Sequence, residues 1–144
     1  GLKFSPGVQN LGPDANEYRG HSGKILDGDN TGVSISTFTA HSSPLGLVFD
    51  TKRKLSAEFK GDGFVLRNTI GTKSSLMKPF TDQGRDLLHL DMSYDKLSDN
   101  YFVKTTRIVD SFNNPTDAVL LGNSLYIIEY DDKAGSIWKV TFPK

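Results

Sequence analysis

At 144 residues the chain has the length of one domain, and 17 Lys and Arg against 17 Asp and Glu leave no net charge to gather phosphate backbones or anionic lipid. Cysteine is absent, which removes disulfides, thiolate metal sites and cysteine nucleophiles. Apolar residues make up only 36%, yet nine Phe, five Tyr and one Trp supply large groups to bury, and no run approaches the roughly 18–20 apolar residues of a membrane-spanning helix. Neither nucleic acid nor a membrane span is therefore expected. The start also lacks the charged-then-apolar pattern of a signal peptide. The first residue is Gly1, not Met, which suggests processing, proteolysis or excision from something longer.

Fourteen Gly and six Pro punctuate short runs rich in Val, Ile, Phe, Tyr and Thr, an all-β rhythm. Residues 1–20, with Pro6, Pro13 and no sustained period, read as loop with at most a short strand, ordered by packing on something else. Within 21–40, Ile25 and Leu26 lead into the turn-rich "DGDNTG", after which Val33, Ile35 and Thr37 alternate; these are two strands of a hairpin. Residues 41–113 then carry four strands: "PLGLVFD", "GDGFVLRNTI", "DLLHLDMSYD" and "NYFVKTTRIVDSF". In the third, Leu88, Leu90, Met92 and Tyr94 alternate with His89, Asp91 and Ser93; the Val, Thr, Ile and Phe of the fourth favour a strand over a helix. Residues 114–144 add three more, "DAVLLG", "NSLYIIEY" and "SIWKVTF". The best helix candidate, Thr81 to Leu90, has its apolar residues bunched at one end. Two strands, then four, then three is the count of a repeating four-stranded unit of about 45 residues, entered midway and left one strand short. The expected architecture is a partial β-propeller of antiparallel four-stranded blades, a little over two of them.

"AHSSPLGLVFD", followed by "FKGDGFV" and then "NNPTDAVLLGNSLYIIEYDDKAGSIWKVTF", resembles the C-terminal blades of the glucose/sorbosone dehydrogenase-like six-bladed β-propellers. The elements that carry the resemblance are His41 to Gly46, Lys60 to Val65, Pro115 to Tyr126 and Gly135 to Val140, and it covers roughly residues 20–143. The resemblance implies a central channel, a pyrroloquinoline quinone site at one end of it, oxidation of a sugar hydroxyl or aldehyde, and a periplasmic or secreted location. Where relatives often carry an "H-G-S-x-x-R" element this chain reads "LRNTIGTKSS", so a cofactor-facing histidine of that element is absent and Arg67 remains nearby. A ring of six blades needs more than this chain contains, so the remaining blades are expected from another chain segment or from further copies; uncompleted, the sheets expose open edges.

Several residues carry a chemical reading beside a structural one. His41, at the start of an expected inner strand, can act as a general base toward a sugar hydroxyl, or its ring can bond a loop carbonyl and order the turn before Pro44. Arg67 can pair with a quinone carboxylate through its planar fork, or form an interstrand salt bridge. Asp27 and Asp29, with Thr31 and Gly32, match the first half of a calcium loop, but a hairpin turn uses the same residues and the twelfth position is Phe38. Asp131, Asp132 and Glu129 raise the same question at "EYDDKAG". His21 lies in a loop; His89, opposite Leu88 and Leu90, is expected to face solvent or a cross-strand partner. Trp138, Tyr126, Tyr130 and Phe142 can form a sugar-stacking platform or fill the gaps between blades.

Overall fold

The computed structural model describes residues 9–10, 17–19, 25–27, 42–69, 84–97, 99–130 and 134–144. Ten strands occur there: β1 (Gln9–Asn10), β2 (Glu17–Arg19), β3 (Ile25–Asp27), β4 (Pro44–Phe49), β5 (Gly63–Arg67), β6 (Asp86–Asp95), β7 (Asn100–Val109), β8 (Pro115–Leu121), β9 (Ser124–Glu129) and β10 (Ser136–Thr141). Helix among the described residues is confined to a 3₁₀ turn, Ala57–Phe59. The fold is all-β, as the sequence rhythm requires.

Strands β4 to β7 pair antiparallel in chain order, and β8 to β10 do the same in a second, three-stranded sheet. Four-stranded and three-stranded up-and-down meanders of this kind are consistent with propeller-like blades, the second a strand short of four. The first sheet is extended at its β7 edge: β1 and β2 pair with β7 in parallel, and β3 pairs antiparallel with β2, Leu26 opposite Tyr18. Of the first twenty residues, Gln9–Asn10 and Glu17–Arg19 thus add to an existing edge. The partner expected for Ile25 and Leu26, residues 33–37, lies outside the described residues.

The two sheets pack through one apolar cluster. Residues opposite each other in register share a face, so Phe64 and His89, and Leu66 and Leu87, look the same way. That face meets Leu125 and Ile127 of β9, with Leu55, Phe59, Phe112 and Phe142 closing the ends. Deleting any of the fully buried Leu or Ile side chains here removes both transfer energy and packing, at ~2–5 kcal/mol each. A smaller cluster, Val65, Leu88, Leu90 and Val103, lies on the other face of the first sheet. Strand β5 is therefore buried on both faces, which is why "GFVLR" reads as a continuous run and not as an alternation.

Each sheet places its first strand, β4 or β8, at an edge, and these two edges abut. Gly46 makes the approach possible. It has φ +56 at the bulge of β4, and a Cβ there would lie 3.0 Å from Asp117 Cα and 3.2 Å from Ala118 N. The glycine of "PLGL" is thus a packing requirement between neighbouring inner strands as well as a backbone one.

Candidate functional site

Strands β4, β6 and β8 begin, and β5 and β9 finish, at the same end of the sheet pair, and polar residues gather there. Ser42, 1% exposed, accepts through its carbonyl from the Thr69 amide at 3.3 Å; the Ser43 carbonyl accepts from the Asn68 amide at 3.0 Å. Thr69 Oγ1 bonds Ser43 Oγ at 3.2 Å, and the Asn68 side-chain amide reaches across to the Pro115 carbonyl at 3.1 Å. The segment that follows His41, the end of β5 and the start of β8 are thereby tied into one unit. Three non-glycine residues at this end hold positive φ: Ser43 (48°), Arg85 (52°) and Ser111 (67°). Such backbone persists only where the surroundings over-determine it, and it concentrates at functional sites.

Directly beneath, Arg67 and Asp86 sit opposite each other on β5 and β6, both with fully buried side chains. Arg67 Nε donates to Asp86 Oδ1 at 2.7 Å, and an Arg67 terminal nitrogen donates to Asp86 Oδ2, a two-pronged ion pair. Of the two readings left open for Arg67, the interstrand salt bridge is the arrangement the molecule contains. On the second sheet Glu129, 6% exposed, accepts from the Asn113 amide with one carboxylate oxygen and from Trp138 Nε1 at 2.7 Å with the other. The indole also stands edge-on to Phe112, ring centroids 6.5 Å apart.

The opposite end is organised by two buried carboxylates. Asp50 accepts from the amides of Lys54 (3.0 Å), Leu55 (3.0 Å) and Gly61 (3.2 Å), closing the "DTKRKLSAEFKG" connection on itself. Burial pushes its carboxyl pKa up, but those three N–H donors and the Arg53 charge outweigh burial and hold it below the ordinary value. Asp62 bonds His89 Nε2 at 2.9 Å and the Met92 amide at 3.1 Å. His89 is 3% exposed, stacked on Phe64 and edge-on to Phe59. It does not face solvent: the face opposite Leu88 and Leu90 is the contact between the sheets, and its partner is Asp62. Along the inner edges runs an open groove of about 450 Å³ between β4 and β8, with Leu47, Phe49, Val119 and Leu121 in its walls and Lys52 and Lys54 at its mouth.

The structure therefore brings the neighbourhood of His41, Arg67 and the start of β8 together, while His41, His21, Asp29, Asp131 and Asp132 lie outside the described residues. Asp27 ends β3, and only its backbone is described. Glu129 is engaged by Trp138 and Asn113. Of the aromatic set, Phe142 is core at 4% exposure, whereas Tyr130 (60%) and Trp138 (51%) are surface residues. The Arg67 fork is engaged by Asp86, and among the described residues no group of three His, Asp or Glu side chains is placed to hold a metal ion. No described helix is long and apolar enough to cross a membrane. Sequence reasoning passed over Asp86, Asp62 and Asp50; an acidic residue beside an apolar strand, as in "RDLLHL" and "GDGFVL", is the signal that finds them. No protein-family model, curated protein or solved structure was found to match the chain.

Proposed function

We propose that the chain supplies two neighbouring blades of a β-propeller of the glucose/sorbosone dehydrogenase kind, and that the end organised by Ser42, Asn68 and Pro115 forms part of the mouth of a sugar-binding channel. One observation carries this reading: Asn68 ties the strand opened by "KGDGFV" to the "HSSPLG" segment through Ser43 and to the "NNPTDAV" segment through Pro115, so three motifs of the resemblance are joined at one end of two abutting inner strands. In this reading His41, immediately before Ser42, takes the proton of a sugar hydroxyl. Arg67 is a positioning residue that fixes the floor of the mouth through Asp86. Pyrroloquinoline quinone and calcium would be held by groups outside the described residues and by the remaining blades, from another chain segment or further copies, and the assembled protein would work in the periplasm or after secretion.

The test is quinone uptake by the native assembly, followed by aldose-dependent dye reduction with pyrroloquinoline quinone and calcium added. Reduction that falls at least ~100-fold in His41→Ala supports the proposal, a loss in the range of a removed general base. Failure of the assembly to take up quinone overturns the oxidoreductase part. Sugar binding without quinone uptake favours a second reading, a carbohydrate-binding or structural propeller module without redox activity, for which the half-exposed Trp138 and Tyr130 speak.

A further inference from the structure

Trp138 is 51% exposed, although a tryptophan is the side chain with most to gain from burial. Its exposure is not looseness. Nε1 is held by Glu129 Oε2 at 2.7 Å, Glu129 is itself buried and fixed by the Asn113 amide, and the indole edge rests on the buried ring of Phe112. Donor, acceptor and edge contact together set the orientation of the ring, so a flat apolar surface is presented to solvent without the entropy cost of ordering it. Around it are polar groups. Ser136 is two residues away on the same side of β10 and exposed, Ser136 and Glu129 are register partners, and Asn113 is exposed across the strand ends.

We infer that Trp138 is a preformed stacking platform for a pyranose ring, a carbohydrate subsite on the outer strand of the same end of the blade pair, separate from the channel mouth. A pyranose offers an apolar C–H face to the indole and hydroxyls to the flanking Ser136 and Asn113. The subsite does not depend on the quinone or on His41, so it stands or falls apart from the proposed oxidation.

Trp138 is the only tryptophan of the chain, so indole emission reads this site alone. The protein in its native assembly is titrated with glucose, galactose, mannose and N-acetylglucosamine, and with short oligosaccharides of each. A saturable shift or quench of emission with at least one of them, together with about a tenfold loss of affinity by calorimetry in Trp138→Phe, supports the subsite. The wild-type titration needs no variant to fold, and far-UV circular dichroism checks Trp138→Phe. No emission change with any sugar overturns the inference. So does an emission shift that appears on raising protein concentration without sugar, because it means another protein surface covers the indole.

Discussion

Strands β5 and β9 hold corresponding places in the two sheets, each second from the inner edge, yet they are buried differently. Every residue of β5 is buried, whereas β9 buries Leu125, Ile127 and Glu129 but leaves Ile128 51% exposed. Composition does not separate them: "GFVLR" contains an arginine and "SLYIIE" a glutamate, and both are rich in large apolar groups. What differs is the neighbourhood. Among the described residues the first sheet has apolar clusters on both faces and the second on one, and the second sheet's other face displays Val119, Leu121, Ile128 and Ile137. Contiguous exposed apolar surface of that kind marks a contact surface, and on the propeller reading it is where the next blade packs.

The largest expected effect lies where the first sheet is buried most deeply. Asp86→Ala leaves the Arg67 guanidinium without its carboxylate inside a sheet covered on both sides, and should destabilise by ~3–5 kcal/mol in urea unfolding. Replacing both partners together, as Arg67→Met with Asp86→Leu, should recover most of that, since the cost is the unpaired charge and not the loss of the pair. A single-variant loss no larger than ~0.5 kcal/mol would mean that the ion pair is wetter than its burial indicates.

Gly46→Ala tests the seam between the sheets. The φ of +56 and the 3.0 Å approach to Asp117 Cα act together, so the expected loss is about 1–3 kcal/mol. An equal substitution at Gly122, which has φ +63 but no atom within 4 Å of its Cβ position, should cost only the backbone part. If the two losses are the same, the seam contributes nothing and β4 and β8 do not need their close contact.

Acid should act on the far end of the first sheet. Asp50 has a folded pKa below its unfolded value of about 3.9, so its contribution is present above that value and is lost as pH falls through the folded pKa. Asp50→Asn should lower stability at pH 7 by about 1–3 kcal/mol, the worth of hydrogen bonds to a charged acceptor, and should flatten the decline of stability below pH 4. Chemical denaturation at a series of pH values checks both, and an unchanged acid limb would remove Asp50 as its source.

These contrasts also explain what could be read from the sequence. Short strands between Gly and Pro, and their grouping into four and three, follow from turn chemistry and period-two patterning, and "PLGLVFD" and "DLLHLDMSYD" fall on β4 and β6. Alternation separates the two faces of a strand but does not say which is wet. Alternation sets His89 opposite Leu88 and Leu90, but only the packing shows that this face is the interior between sheets, with Asp62 as the partner 27 residues away. Arg67 follows an apolar run, and only the pairing of β5 with β6 brings it to Asp86. Trp138 is the converse case: its size argued for core, but a three-stranded sheet has no strand beyond β10 among the described residues to bury it.

The smallest effect is expected on the uncovered face, and it is the most informative about assembly. Ile128 and Ile137 are register partners, 51% and 72% exposed. In the isolated chain Ile128→Ser or Ile137→Ser should therefore change stability by no more than about 0.5 kcal/mol, whereas Leu125→Ala on the buried face of the same sheet should cost several times more. In the native assembly the order should change. If another blade packs on this face, Ile128→Ser removes apolar area from an interface and should weaken association, which sedimentation velocity on the wild type and the variant resolves. Equal sedimentation of the two, at concentrations where the wild type associates, would show that this face stays in solvent and that the array continues elsewhere.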